Sequence, residues 1–503
     1  MVGFNTPHPQ LLQAFRHPFM EPIRRYTGYT TPMYQEADAE KGASTPLVVH
    51  NAVMHLDEAS RTPHPKRSRA RKVLLHLIHF SIFLAIFYFL VPRWYPGGKP
   101  QQPSPEGDMV EYENGSPGPR DCVNRAEWTL HDAQGPPYIP HFRRHASTSL
   151  SLPRSSSLLY FLSRGSLSHG RIEIDNDGEE ADKVSVEVGI WYNADDVLDR
   201  VDVCTLQRAE GKNGVGIFSP QYHRHPSDEY RTHFEVKVRL PTSAKLEHYD
   251  EFETDMPIFA HSVGDLEGNV FFRSISLRTT NDPIDVKSLT VNHGSLATTN
   301  SHIQAVFNAT DVLKVHTSNG HISGNFKSLG DVNLATTNGR IKAKLSLTNN
   351  GSSDASKLVL ATSNGPIEAD ITLLSSAEGG TGGAFDVKAS TTNSHIDVTY
   401  PSAPVDSRLA FIGHSSNAPV RAKLHPTYEG SFSLRTSSFE KPTVQHDSHA
   451  PDPAGRGRTR TVNVHRMGRG ITEGDVKWTG NENRAELGTV QLSTTNAAVR
   501  LTL

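Results

Sequence analysis

Cysteine is nearly absent: Cys122 and Cys204 are the only two in 503 residues. Two thiols cannot make the multi-bridge framework of a small secreted domain or a four-ligand zinc site. They leave either one bridge or two free thiols, and the sequence does not fix the distance between them. The signatures of common catalytic centres are also missing, with no G-x-S-x-G elbow, no Walker loop and no HExxH pair. Nor is there an excess of positive charge. The net charge of -3 divides into +4 over residues 1–72, with 10 Lys/Arg against 6 Asp/Glu, and -7 over the remainder. A mildly acidic remainder offers no cationic field for phosphates, so no nucleic-acid partner is expected. No cofactor or metal is expected either.

Long hydrophobic runs are scarce, and the single example is informative. Val73 to Val91 reads VLLHLIHFSIFLAIFYFLV, 19 residues without a charge. As a helix it would extend roughly 28 Å, close to the hydrocarbon thickness of a bilayer. Six Lys/Arg stand in the 15 residues before it and two in the 15 after it. That bias predicts a single-pass protein with the N-terminus cytoplasmic and the C-terminal bulk extracellular or lumenal. Its first expected partner is therefore the lipid bilayer. Residues 1–72 read as a disordered cytoplasmic tail, 73–92 as the transmembrane helix and 93–145 as a Pro/Gly-rich stalk. Sequons at Asn308 and Asn350 are candidate glycosylation sites on the far side; a third, at Asn114, is weakened by Pro117.

The rest is dominated by a repeat. GSLATTNSHIQAV, LKVHTSNGHISG, VNLATTNGRIKAKL and LVLATSNGPIEADI follow one another, with related copies before and after. Their shared asparagines are Asn281, Asn300, Asn319, Asn338, Asn364, Asn393, Asn417 and Asn496; the first three intervals are each 19 residues, and later ones are 26, 29, 24 and 79. The last gap holds a degenerate copy, FSLRTSSFEKPTV. Within a unit, Val332, Leu334, Thr336 and Asn338 alternate onto one face, and Ile341, Ala343 and Leu345 onto one face beyond the corner. A pair of short strands cannot bury its own apolar side, but stacked pairs can. The expected fold is all-β: a parallel β-helix over 271–503, preceded by a β-rich cap over 146–270. Eight clear layers and one degenerate layer predict a rod of about 40 Å at ~4.8 Å per layer. Asn and Gly at the corner suit positive φ, and the asparagines are expected to bond one another as a structural ladder.

These TTNG-x-I units resemble the repeats of the adhesin-type β-helix family found on bacterial and fungal surfaces. The resemblance covers roughly residues 270–503 and implies a right-handed parallel β-helix and surface attachment, not an activity. The apolar run ahead of the repeats, with no secretion signal, is similar to a fungal-type, membrane-anchored arrangement.

The outward residue after each corner is Asp285, Gln304, Ser323, Lys342, Glu368, Asp397, Arg421 or Arg500. Their signs are mixed, and a solvated face without an acid pair on adjacent layers is expected, hence no catalytic residues. His302, His321 and His395 stand two residues after an asparagine. The first two should stack on adjacent layers, with no carboxylate sharing their column to complete a metal site. The histidines of QYHRHPSDEYRTH, His223, His225 and His233, read as part of a polar loop. The expected function is non-enzymatic adhesion or ligand binding, with cell-wall polysaccharide or a surface protein as partner. The rivals are a membrane-anchored polysaccharide lyase or hydrolase, which needs a groove of clustered Asp, Glu, Lys and Arg, and a scaffold signalling through the tail.

Overall fold

The structure, a computed structural model, describes residues 118–132, 142–221, 228–351, 354–437, 439–447, 449–480 and 488–503. The tail, the apolar run, Asn114, His223 and His225 lie outside these residues, as does most of the stalk. Among the described residues no helix is long and apolar enough to cross a membrane. The described residues all fall in one compact unit.

The unit is all-β. In the strand Ile341–Asn349, Ile341, Ala343, Leu345 and Leu347 are buried while Lys342 and Lys344 are exposed. That two-residue period lets one side face an interior and the other water. The next layer repeats the pattern in register. Ile303, Ile322, Ile341, Ile367, Ile396, Val420 and Val499 sit above one another across parallel pairings. All seven are buried. Each such side chain contributes about 1.5–3 kcal/mol by leaving water. β-Branched residues suit these positions because their stiff χ1 packs well on a pleated surface.

Twelve two-strand layers stack in this way, more than the nine expected, because three lie before the Asn-bearing copies. The layers do not all follow chain order. The strands Gly488–Thr494 and Val499–Thr502 pair on one side with Arg408–Ser415 and Val420–Lys423. On the other side they pair with Gly430–Thr436 and Thr443–Gln445. The C-terminal repeat is thus inserted as the next-to-last layer, and the degenerate copy lies beyond it. The long interval from Asn417 to Asn496 therefore separates spatial neighbours. The other end carries a similar inversion. Leu158–Arg164 lies between Lys212–Phe218 and Glu247–Asp255.

Antiparallel strands close both ends. Arg144–Pro153 and Lys183–Tyr192 cover Thr232–Pro241 at one end, and Ile471–Trp478 covers Gly430–Thr436 at the other. Cys122 and Cys204 form a disulfide with Cα atoms 5.5 Å apart, pinning Cys122–Arg125 to Asp202–Ala209.

The corners differ from expectation in two respects. Thr336 is buried but Asn338 is exposed, so the alternation stops where the chain turns. The ladder asparagines and corner glycines do not have positive φ; among described non-glycines only Asp406 and Arg469 do. Gly320, Gly339 and Gly365 are required by closeness instead. A Cβ on Gly339 would stand 1.7 Å from the Gly320 carbonyl oxygen one layer away.

Candidate functional site

Every Asn-bearing corner has an inner and an outer polar column. On the outside, Asn300 Nδ2 donates to Asn281 Oδ1 (2.6 Å), and the pattern continues through Asn319, Asn338, Asn364, Asn393, Asn417 and Asn496 at 2.6–2.7 Å. All eight asparagines are exposed. On the inside stands a column that the sequence reading passed over, although its first Thr or Ser recurs in every copy. Thr336 Oγ1 donates to the Gly320 carbonyl (3.0 Å) and accepts from the Gly339 N–H (3.1 Å). Thr317, Thr362, Thr391, Ser415 and Thr494 donate likewise to the adjacent corner. These residues are buried, and the bonds of Thr336, Thr362 and Thr391 to the next layer's carbonyls are buried with them.

Beyond the corner, the outward side chains form an open groove of about 990 Å³ running across six layers, from Asp285 to Asp397. At ~4.8 Å per layer it is about 24 Å long. Its two outward columns are Asp285, Gln304, Ser323, Lys342, Glu368 and Asp397, and Lys287, Val306, Asn325, Lys344, Asp370 and Thr399. A second hollow of about 720 Å³ shares Ser323 and Lys342 with it and contains His302, His321 and Arg340.

Charge in the groove is segregated by layer. Arg340, Lys342 and Lys344 lie on one strand entrance, two residues apart, and all three are exposed. On one side the paired residues are Ser323 and Asn325. On the other they are Glu368 and Asp370. No ion pair joins Arg340, Lys342 or Lys344 to a described carboxylate.

Glu368 and Asp397 are in register on adjacent layers, so the expectation of no acid pair is corrected. Their consecutive places in the repeat already put them on adjacent layers; the mixed signs of the whole column masked the acidic step. His395 Nε2 lies 3.6 Å from Glu368 Oε1 and 3.8 Å from Asp397 Oδ2, while Arg421 Nη1 lies 3.1 Å from Asp397 Oδ2. Carboxylates do accompany the histidines, then, from the neighbouring column; His302 Nε2 is 3.6 Å from Asp285 Oδ1. Among the described residues no group of three or more His, Cys, Asp and Glu side chains could hold a metal ion.

The rings of His302 and His321 are 5.0 Å apart and nearly parallel, at 7°. Burial, then the neighbouring His302 and Arg340, holds His321 below the ordinary histidine pKa. His233 is not simply in a polar loop: its ring meets His169 and Trp191 edge-on, each at 6.5 Å, and burial lowers its pKa. Of the sequon residues, Asn308 is half-buried within Ile303–His316, and Asn350 is exposed just past a strand end.

No protein-family profile matches the chain, and no curated protein matches it. Among solved structures, it is similar to a proposed cell adhesion protein from Clostridium sporogenes ATCC 15579, at 7% identity over 71% of this chain and 99% of that one. The TM-score is 0.14, and at that value the likeness carries no argument about this chain.

Proposed function

We propose that this chain is a non-enzymatic binding protein that holds an extended polar ligand, a surface polysaccharide or a surface protein segment, in the lateral groove of its solenoid. The observation that carries the reading is the groove itself, continuous over six layers, with outward side chains that are exposed or half-buried and, Val306 apart, polar or charged. An elongated open trough suits a polymer rather than a small molecule, which is usually enclosed in an apolar pocket. The reading includes anchorage to a membrane through residues 73–91, N-terminus inside, on the strength of the uncharged run and its flanking charges.

The test is a glycan array probed with residues 102–503, alongside a Ser323→Trp variant that fills the trough at its centre. Binding to a glycan class that the variant loses is the expected result. Equal binding by both proteins removes the groove from the function.

A second reading has a specific observation behind it. Glu368, Asp397 and His395 form an acid cluster two layers or less from Lys342, and polysaccharide-cleaving enzymes place acids and bases on one exposed face. Release of shortened products from a bound glycan, abolished by Glu368→Gln and Asp397→Asn, would establish cleavage in place of simple binding.

A further inference from the structure

We propose that the middle of the groove recognises an acidic polysaccharide, with Arg340, Lys342 and Lys344 engaging carboxylate or sulfate groups carried on its sugars. The inference rests on the groove reading above and names the ligand class. Lys342 and Lys344 stand on alternate residues of one strand, about 7 Å apart, with Arg340 two residues before Lys342 at the corner. Both lysines line the groove, Arg340 and Lys342 line the hollow that adjoins it, and no described carboxylate forms an ion pair with any of the three. The row follows its strand and so crosses the trough, giving a polymer that lies along the trough one layer at which several cations meet its negative groups.

The surroundings narrow the choice. The layers on one side offer Ser323, Asn325 and Gln304, whose hydroxyl and amide groups can both donate to and accept from sugar hydroxyls. The layer on the other side bears Glu368 and Asp370, and the far end of the trough bears Asp285. A nucleic acid, with a phosphate at every step, would lay charge over these carboxylates. A glycan with acidic groups on only some of its sugars can set a charge at the cation row and present only hydroxyls to the acids. At the lip, the stacked rings of His302 and His321 present their edges, whose nitrogens can hydrogen-bond sugar hydroxyls.

The experiment measures binding of the full chain to partly methyl-esterified polygalacturonate, dextran sulfate of low substitution, unmodified dextran and single-stranded DNA of similar length. A double variant, Lys342→Glu with Lys344→Glu, is compared with a control, Lys357→Glu with Lys388→Glu, whose exposed lysines do not line the groove. The expected result is binding to one or both acidic glycans, weakened about tenfold or more in the groove variant and unchanged in the control. Whether the carboxylated or the sulfated polymer binds identifies the acidic group. Equal binding of dextran, still lost on Ser323→Trp, overturns the acidic preference and leaves the groove reading standing. Binding of no glycan overturns the acidic-glycan assignment and leaves only a protein segment for the groove. Tighter binding of the DNA, lost in the groove variant, assigns the row to nucleic acid and overturns the glycan. Equal loss in the control variant reduces the effect to overall charge and overturns the row.

Discussion

The inner and outer columns of the corners use similar hydrogen bonds in opposite surroundings. The inner threonines are sealed from water, whereas the outer asparagines, two residues on, are exposed. A bond in the dry column replaces nothing that solvent can restore, so losing it strands a carbonyl. A bond in the wet column competes with water for every partner. The inner column therefore carries stability, and the outer one adds alignment between layers.

The interior's dryness should appear most strongly on acidification. His261 is fully buried, with Nε2 within 2.7 Å of Thr254 Oγ1 and Nδ1 within 3.0 Å of the Phe259 carbonyl. Burial pushes its pKa down from 6.5 to about 4. The unfolded chain therefore takes up a proton below about pH 6.5 while the folded chain refuses it until about pH 4. Stability is full above that window and is lost as pH falls through it, by on the order of 3 kcal/mol from this one residue. Burial lowers the pKa of His169 and His233 as well, with the same sign. Urea midpoints should drop between neutral pH and about pH 4.5, and His261→Gln should flatten the slope. A midpoint that ignores pH would show that water reaches the interior.

Thr336→Val tests the inner column directly. It keeps the shape and removes the hydroxyl that joins the Gly320 carbonyl to the Gly339 N–H. The expected loss is about 1–3 kcal/mol in a denaturant melt of residues 102–503. Asn338→Ala severs two outer bonds, to Asn319 and from Asn364, yet should cost less than about 1 kcal/mol because water takes the vacated sites. If the asparagine variant proves the more damaging, the roles of the columns are reversed.

Lys342→Ala, outward in the groove, should stay within about 0.5 kcal/mol in the same melts. The smallest effect is thus assigned to a side chain that the binding experiments make central.

Much of this was legible in the sequence. The 19-residue intervals announced stacked layers, and the alternation in 341–345 placed the core side chains. The asparagines were visible as a column because one residue type recurs at one position. Thr336 was seen to face inward, but its bond to another layer's backbone leaves no second letter in the text. Corner glycines pointed to positive φ, whereas the actual constraint is a carbonyl from the neighbouring layer, which local sequence does not encode. The acid pair Glu368 and Asp397 was equally legible, standing at one position of consecutive copies. The order of the last layers was hidden for a deeper reason: a 79-residue interval specifies nothing about where its ends meet.

That final layer bears on how the molecule is made. Until Gly488–Thr494 is in place, Arg408–Ser415 lacks the second of its two parallel neighbours, and Gly430–Thr436 lacks the only parallel one among the described strands. Leu501 and Leu503, borne on the same segment, are buried in the finished core. A chain without residues 488–503 would therefore leave one side of each of those two strands unpaired, a ready template for aggregation.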